Sequence, residues 1–183
     1  MEPGRPIPAH YTRTAVALHW AVAGLVITLL AMGWVMTNMP GSPTKLQVVT
    51  WHKWGGITAL ALFFVRSLWR LTHRTPPPLP MPPWQQRAAG IIHALLYAML
   101  LVQPLTGWLF SSAAGRQVVY LNLIPLPNLV SRNPALGAVF KDLHGTGGAL
   151  LTAIVGLHVL AALKHHFIDR DDTLRRMLRW RPE

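Results

Sequence analysis

The stretch from Phe140 to Phe167 is a nearly uncharged apolar run that contains two histidines, His144 and His158. As a helix it is long enough to cross the roughly 30 Å hydrocarbon core of a bilayer. The histidines are fourteen residues apart, so they lie on one helix face, separated by about 21 Å along the axis. Ionisable residues inside a membrane helix are costly and mark functional sites. This stretch therefore predicts a membrane helix with a site near each surface.

Three further segments have the length and apolar character of membrane spans. The four predicted spans are residues 15–37, 48–69, 88–112 and 140–167. Of 183 residues, 51% are hydrophobic and only 13% are charged, which is too little charge for an ordinary soluble domain. The first span is longer than the roughly 7 to 15 apolar residues of a signal peptide, and we expect it to be retained. We predict an all-α, integral-membrane four-helix bundle, folded as a single domain over residues 1–183.

The connections between the spans differ in composition. Pro40–Pro43 marks a tight turn, and the proline-rich stretch Leu71–Trp84 is expected to remain extended. The longest connection, Ala113–Val139, has room for a short interfacial helix and is expected to cover one end of the bundle. Residues 169–183 form a basic tail suited to an anionic membrane surface. The apolar side of the tail contains Leu174, Met177, Leu178 and Trp180.

The basic residues predict the orientation of the bundle. Twelve of the 17 Lys and Arg residues lie on the side that holds both termini, which we therefore predict to be cytoplasmic. The five on the outer side are Lys45, Lys53, Arg116, Arg132 and Lys141. A single acid, Asp142, opposes these five, so the outer face should attract anions. The formal net charge of +11 is explained by this topology without nucleic acid as a partner. With no cysteine, the chain has neither disulfides nor thiolate metal sites.

Distance from each predicted helix start estimates the depth of a histidine in the membrane. His52 and His144 both fall near the outer surface, and His19 and His158 both fall toward the cytoplasmic surface. Two imidazole pairs, one above the other, are what two six-coordinate haems require. Zinc would instead gather its ligands within one small sphere. Two alternatives to haem are a zinc site and histidines that only pack or line a path.

Other polar residues lie near the predicted cytoplasmic site. No unmatched histidine lies at the predicted depth of His93, so it is not assigned as a haem ligand. Its two possible roles are a quinone site or proton transfer, and packing. His165 and His166 are interfacial residues, and one of them is a candidate hydrogen-bond donor to a quinone carbonyl. Arg66 shares a helix face with His52 and is assigned to a haem propionate or to the membrane boundary.

Several motifs together resemble the bacterial cytochrome b561 family. They are the run Arg13–Trp20 around His19, the helix opening at His52, the prolines from Pro76 to Pro83, the segment His144–His158 with Lys164-His165-His166, and the ending Asp172–Met177. The resemblance implies a four-helix inner-membrane protein with two b-type haems, whose ligand positions fall on His19, His52, His144 and His158.

The same resemblance implies a reaction. The best-understood member of the family oxidises superoxide at the outer face and passes the electrons to ubiquinone, and the five outer cations are then candidates for steering the substrate. Two alternatives remain. One is a haem-containing subunit that connects a hydrogenase or dehydrogenase to quinone, whose protein partner the sequence does not identify. The other is a haem-free structural or transport protein of the membrane.

Overall fold

A computed structural model describes residues 10–178 of the chain. Its four long helices are α1 (Arg13–Asn38), α2 (Pro43–Thr72), α3 (Pro83–Ala113) and α4 (Pro134–Lys164), and α4 continues into a π-helical turn over His165–Asp169. The smaller elements are β1 (Val119–Tyr120), β2 (Ile124–Pro125) and α5 (Arg175–Leu178). All four long helices are long and apolar enough to cross a membrane. The fold is therefore mostly helical, as predicted, and suited to a membrane bundle.

Three of the helices begin with a proline in their first turn, at Pro43, Pro83 and Pro134. Proline has no N–H to leave unpaired there, and its φ suits the first helical turn. The Asn133 side chain also accepts hydrogen bonds from the first free N–H groups of α4. The predicted starts at residues 48, 88 and 140 are five or six residues too late. In the sequence, a proline that begins a helix cannot be distinguished from a proline that ends one.

The connection between α3 and α4 folds as a hairpin. Tyr120 pairs with Ile124 across it, and two residues of its turn, Leu121 and Asn122, have positive φ. No helix forms between residues 114 and 133, all of which the structure describes. The hairpin packs against α2, where the Trp54 indole donates to the Val119 carbonyl at 2.8 Å. We call this end of the bundle the hairpin end.

The opposite end, called the tail end, holds the start of α1, the linker between α2 and α3, and residues 165–178. The tail folds back onto the bundle: the Trp20 indole donates to the Met177 carbonyl at 2.7 Å, and Arg176 donates to the Pro77 carbonyl at 2.9 Å. Contact of this segment with a membrane surface remains a prediction, and Trp180 lies outside the described residues.

A cluster of buried apolar side chains lies between the two ends. It centres on Val22, Val26 and Leu151. Partly buried side chains surround this centre, namely Leu30, Leu62, Leu96, Met99, Leu100 and Val155. Leu151 is seven residues from both His144 and His158, so the cluster separates the two histidine levels. We call it the apolar layer.

Candidate functional site: two histidine pairs

The structure brings the four predicted ligands together in the two expected pairs. The ring centroids of His52 and His144 are 6.0 Å apart at the hairpin end. Those of His19 and His158 are 6.3 Å apart at the tail end. Each pair joins α4 to a different helix, so α4 forms a wall of both sites.

The spacing within each pair suits a metal ion held between two imidazoles. A metal–nitrogen bond is about 2 Å, and the centroid of an imidazole lies roughly 1 Å behind the bonding nitrogen, so two axial ligands have centroids about 6 Å apart. The side chains present therefore fit axial ligation of a haem at both levels.

A hydrogen bond orients the ring of His144. Its Nδ1 lies 3.1 Å from the backbone carbonyl oxygen of Gln103 in α3. A carbonyl oxygen only accepts, so in the neutral ring Nδ1 carries the proton and Nε2 keeps its lone pair. Metal-binding histidines characteristically donate their second nitrogen in this way. The arrangement presents Nε2 as the ligand atom.

Sequence reasoning did not identify Gln103, which is 9% exposed in the middle of α3. Its side-chain amide donates to the His144 backbone carbonyl at 3.0 Å, and its backbone carbonyl accepts from the Thr106 hydroxyl at 2.9 Å. The sequence did contain an indication of its role: Gln103 is a polar residue, followed by Pro104, within an apolar span. Polar residues in membrane helices are costly and usually have a functional or packing role. Gln103 thus connects α3 to the ligand-bearing part of α4.

Two glycines allow α3 and α4 to approach at this level. A Cβ at Gly107 would lie 2.9 Å from Cε1 of His144, and one at Gly147 would lie 2.6 Å from Oε1 of Gln103. The lack of a side chain at Gly147 therefore allows close helix packing. Gly145 and Gly156 instead face open space.

His52 has an unusual environment for a buried imidazole. Its Nδ1 is buried without a well-formed hydrogen bond to any described residue, although the Leu29 backbone is close enough to interact. Buried polar atoms are nearly always paired, and an exception points to a group bound nearby. His52 lies nine residues after the start of α2, whereas the sequence predicted a distance of about one turn. The helix α4 also starts earlier than predicted, so His52 and His144 still lie at the same level.

A third imidazole lies beside the tail-end pair. The ring centroid of His93, in α3, is 5.4 Å from that of His158. The depth argument left His93 without a partner because each histidine was matched only once. Its side chain is exposed, in contrast to the ligands of both pairs.

The other histidines predicted at the tail end differ in their partners. His165 Nδ1 lies 2.7 Å from a carboxylate oxygen of Asp171 and 3.1 Å from one of Asp169. His166 packs its ring against Phe167, and its Nδ1 is buried with no hydrogen-bond partner among the described residues. Of these two, His166 has the nitrogen that remains available.

Arg66 lies close to the tail-end pair. Its Nε donates to the Tyr97 hydroxyl at 3.3 Å, and its charge acts on both His19 and His158. Its Nη1 is buried without a partner among the described residues. Arg66 is thus placed where a propionate contact was predicted, and it is not extended to the surface.

The five cations predicted on the outer side do not form one group. Lys53 lines a cavity of about 200 Å³ between α2 and the hairpin, and Arg116 is near enough to interact with its charge. Lys45 instead donates to the Met39 carbonyl at 2.7 Å. The stem of Arg132 crosses Gly115, and Lys141 is exposed on α4. Lys53 and Arg116 are the two that the structure brings together.

Comparison with known proteins identifies relatives over nearly the whole chain. The family model described as prokaryotic cytochrome b561 matches residues 10–180. Cytochrome b561 homolog 1 of Escherichia coli is 33% identical over 173 residues, covering 92% of this chain and 96% of the relative. Homolog 2 of the same organism is 32% identical over 175 residues, covering 93% and 92%. A protein of Yersinia pestis named probable superoxide oxidase CybB is 30% identical over 174 residues, covering 92% and 95%.

These matches confirm the resemblance found in the sequence motifs. They extend over all four long helices and both histidine pairs. The haem-free alternative is thereby set aside, because a cytochrome b carries haem. The chain belongs to the prokaryotic cytochrome b561 family, bacterial multi-pass membrane proteins that bind b-type haem and transfer electrons.

Proposed function

We propose that the chain binds two b-type haems and transfers electrons from superoxide at the hairpin end to ubiquinone at the tail end. His52 with His144 would hold one haem, and His19 with His158 would hold the other. The observation that supports two haems is the pair of imidazole separations near 6 Å. The name of the Yersinia pestis relative supports the choice of superoxide.

The protein contributes orientation and insulation. Haem, when bound, supplies reversible one-electron chemistry at its iron. The backbone carbonyl of Gln103 accepts a hydrogen bond from Nδ1 of His144 and so leaves Nε2 as the nitrogen that would hold the haem iron. Arg66 would place a positive charge beside the tail-end haem. The apolar layer keeps water from the space between the two histidine levels.

At the hairpin end, Lys53 and Arg116 attract the anionic substrate. Lys53 follows the ligand His52 directly in sequence and lines the cavity beside the hairpin. Lys53 at the cavity, with Arg116 near enough to add its charge, would raise the local concentration of an anion and its association rate. Lys45, Arg132 and Lys141 add only to the field around that end. Superoxide needs no protein acid or base to become dioxygen, only access and charge.

At the tail end, we assign two donors to a quinone carbonyl: the exposed His93, and His166, whose Nδ1 has no partner among the described residues. His165 is less suited because Asp171 already holds its Nδ1. Reduction of ubiquinone to ubiquinol takes two electrons and two protons, so two superoxide ions become two dioxygen molecules per turnover. We place the hairpin end outside and both termini in the cytoplasm, following the basic residues, with the inner membrane as the location.

Stopped-flow spectroscopy of the purified, haem-loaded protein tests this function. Superoxide should reduce the haem at a rate that falls as salt rises, and added ubiquinone should reoxidise it. Reduction that superoxide does not produce, in a protein whose haem accepts electrons from a chemical reductant, would contradict the superoxide step. That result would favour a subunit that connects a dehydrogenase or hydrogenase to quinone.

A further inference from the structure

A cavity of about 40 Å³ opens at the tail end between α1, α2 and α3. Its lining combines basic, aromatic and hydroxyl side chains, including Thr12, Arg66, Trp69, Arg70, His73 and Tyr97. Trp69 stacks on His73 with ring centroids 3.7 Å apart and donates to the Thr12 hydroxyl at 3.1 Å. These contacts hold the walls of the cavity in place.

Two arginines converge on one tyrosine ring in this cavity. The guanidinium carbons of Arg66 and Arg70 each lie 5.8 Å from the Tyr97 ring centroid. Arg66 also directs Nε to the Tyr97 hydroxyl and leaves Nη1 buried without a partner in the described chain. A buried guanidinium nitrogen without a partner, beside a second arginine, favours a bound acceptor of negative charge.

The described chain offers no carboxylate for these arginines. Of its six acidic residues, Glu2 and Glu183 lie outside residues 10–178. Asp169, Asp171 and Asp172 pair with Lys164, His165 and Arg175. Asp142 lies near the start of α4, at the hairpin end. Within residues 10–178, these two arginines therefore have no carboxylate as a counter-charge.

We propose that Arg66, Arg70 and Tyr97 form an oxyanion site that binds the phosphate of an anionic phospholipid. Arg70 is exposed and two residues from the end of α2, which puts it at the level of lipid headgroups. Basic pockets between membrane helices on the more basic side recognise such headgroups, and the aromatic residues Trp69 and Tyr97 suit the interface. A haem propionate offers similar oxygen chemistry, but it would approach from the histidine side, nearer Arg66.

Native mass spectrometry of the haem-loaded full chain, titrated with phosphatidylglycerol or phosphatidylcholine, tests the site. The wild type should retain phosphatidylglycerol preferentially, and Arg70→Gln should weaken that binding about fivefold, the effect of one basic residue. The control is Arg87→Gln, which removes an exposed arginine of α3 near the same end that does not line the cavity. It should bind phosphatidylglycerol as the wild type does.

Two results would overturn the proposal. One is that Arg70→Gln binds phosphatidylglycerol as the wild type does and keeps its haem unchanged. The other is that Arg70→Gln binds phosphatidylglycerol normally but loses haem or shows a shifted haem potential, which would assign the site to a propionate. If Arg70→Gln does not fold, Arg70→Lys keeps the charge but loses the planar fork, and it should bind phosphatidylglycerol more weakly than the wild type. Lipid retention is measured without superoxide, so the outcome is independent of the proposed reaction.

Discussion

Nδ1 of His144 lies 3.1 Å from the main-chain oxygen of Gln103, so the backbone of α3 orients a ring of α4. Replacing the Gln103 side chain should leave this contact in place. Gln103→Leu removes the interhelical hydrogen bond from the side-chain amide to the His144 carbonyl, and a longer one that Oε1 accepts from the Thr106 hydroxyl within α3. We expect a stability loss of about 1 kcal/mol, typical of interhelical hydrogen bonds in membranes. The low-spin haem spectrum should persist. Thermal unfolding and absorption spectra check both, and a lost spectrum at unchanged stability would contradict the assignment.

Gly107→Ala should disturb the hairpin-end site directly. The added methyl would lie 2.9 Å from the His144 ring, closer than carbon atoms pack. We expect the ring to move and the haem at that end to become partly high-spin or to be lost. Gly90→Ala in the same helix meets nothing within 4 Å and serves as the control. Electron paramagnetic resonance distinguishes the spin states.

His52→Ala should remove one haem and leave the other. The two pairs use different histidines and are about 20 Å apart, so their losses should be independent. We expect haem content to fall to about half, measured as the pyridine haemochrome per protein. His73→Ala is the control, because this histidine stacks on Trp69 and belongs to neither pair. Full haem content in His52→Ala would exclude His52 as a ligand.

Lys53→Gln should slow reduction by superoxide at low salt by several-fold and flatten its salt dependence, because steering depends on charge near the site. Lys141→Gln removes an equal charge from an exposed position on α4 and should have a smaller effect. The rates come from stopped-flow traces at a series of salt concentrations. Equal effects of the two substitutions would indicate that only the overall field matters.

The tail should loosen in acid through Asp171. Burial opposes its ionisation, but hydrogen bonds from Thr173 and His165 outweigh that effect and hold the pKa of Asp171 below its ordinary value of 3.8. Its ionised form therefore stabilises the folded tail above about pH 3.8, and this contribution is lost as pH falls through the lowered pKa.

Hydrogen exchange of residues 171–178, corrected for intrinsic rates, measures that loss. Asp171→Asn should show at pH 7 the faster exchange that the wild type shows in acid. Asp172→Asn, whose carboxylate is 62% exposed beside Arg175, should exchange like the wild type. An acid-insensitive wild-type tail would contradict the role of Asp171.

The histidine pairs were predictable because pairing depends on relative depth. The predicted starts of α2 and α4 are late by five and six residues, so the errors nearly cancel for His52 and His144. The positions of Pro43 and Pro134 alone do not distinguish a helix start from a break. Asn133, a favourable N-cap residue before a proline, was the signal that could have placed α4 correctly.

The contacts of His93 and Gln103 could not be predicted by depth. Depth places residues along the bundle axis but not around it, and both contacts depend on which face of α3 meets α4. The hairpin was missed for another reason. Two-residue strands are too short to show an alternating pattern, and the positive φ at Leu121 is unusual for a bulky residue.

The apolar layer has an electrical consequence. Val22, Val26 and Leu151 offer no group that could carry a proton or an ion between the histidine levels. Under the proposed function, each electron then crosses about 20 Å of low-dielectric medium without a compensating ion. Its inward movement makes the cytoplasm more negative and works against the existing membrane potential, at about 2.3 kcal/mol for a full crossing of 100 mV. Turnover would be electrogenic, and a polarised membrane would slow it.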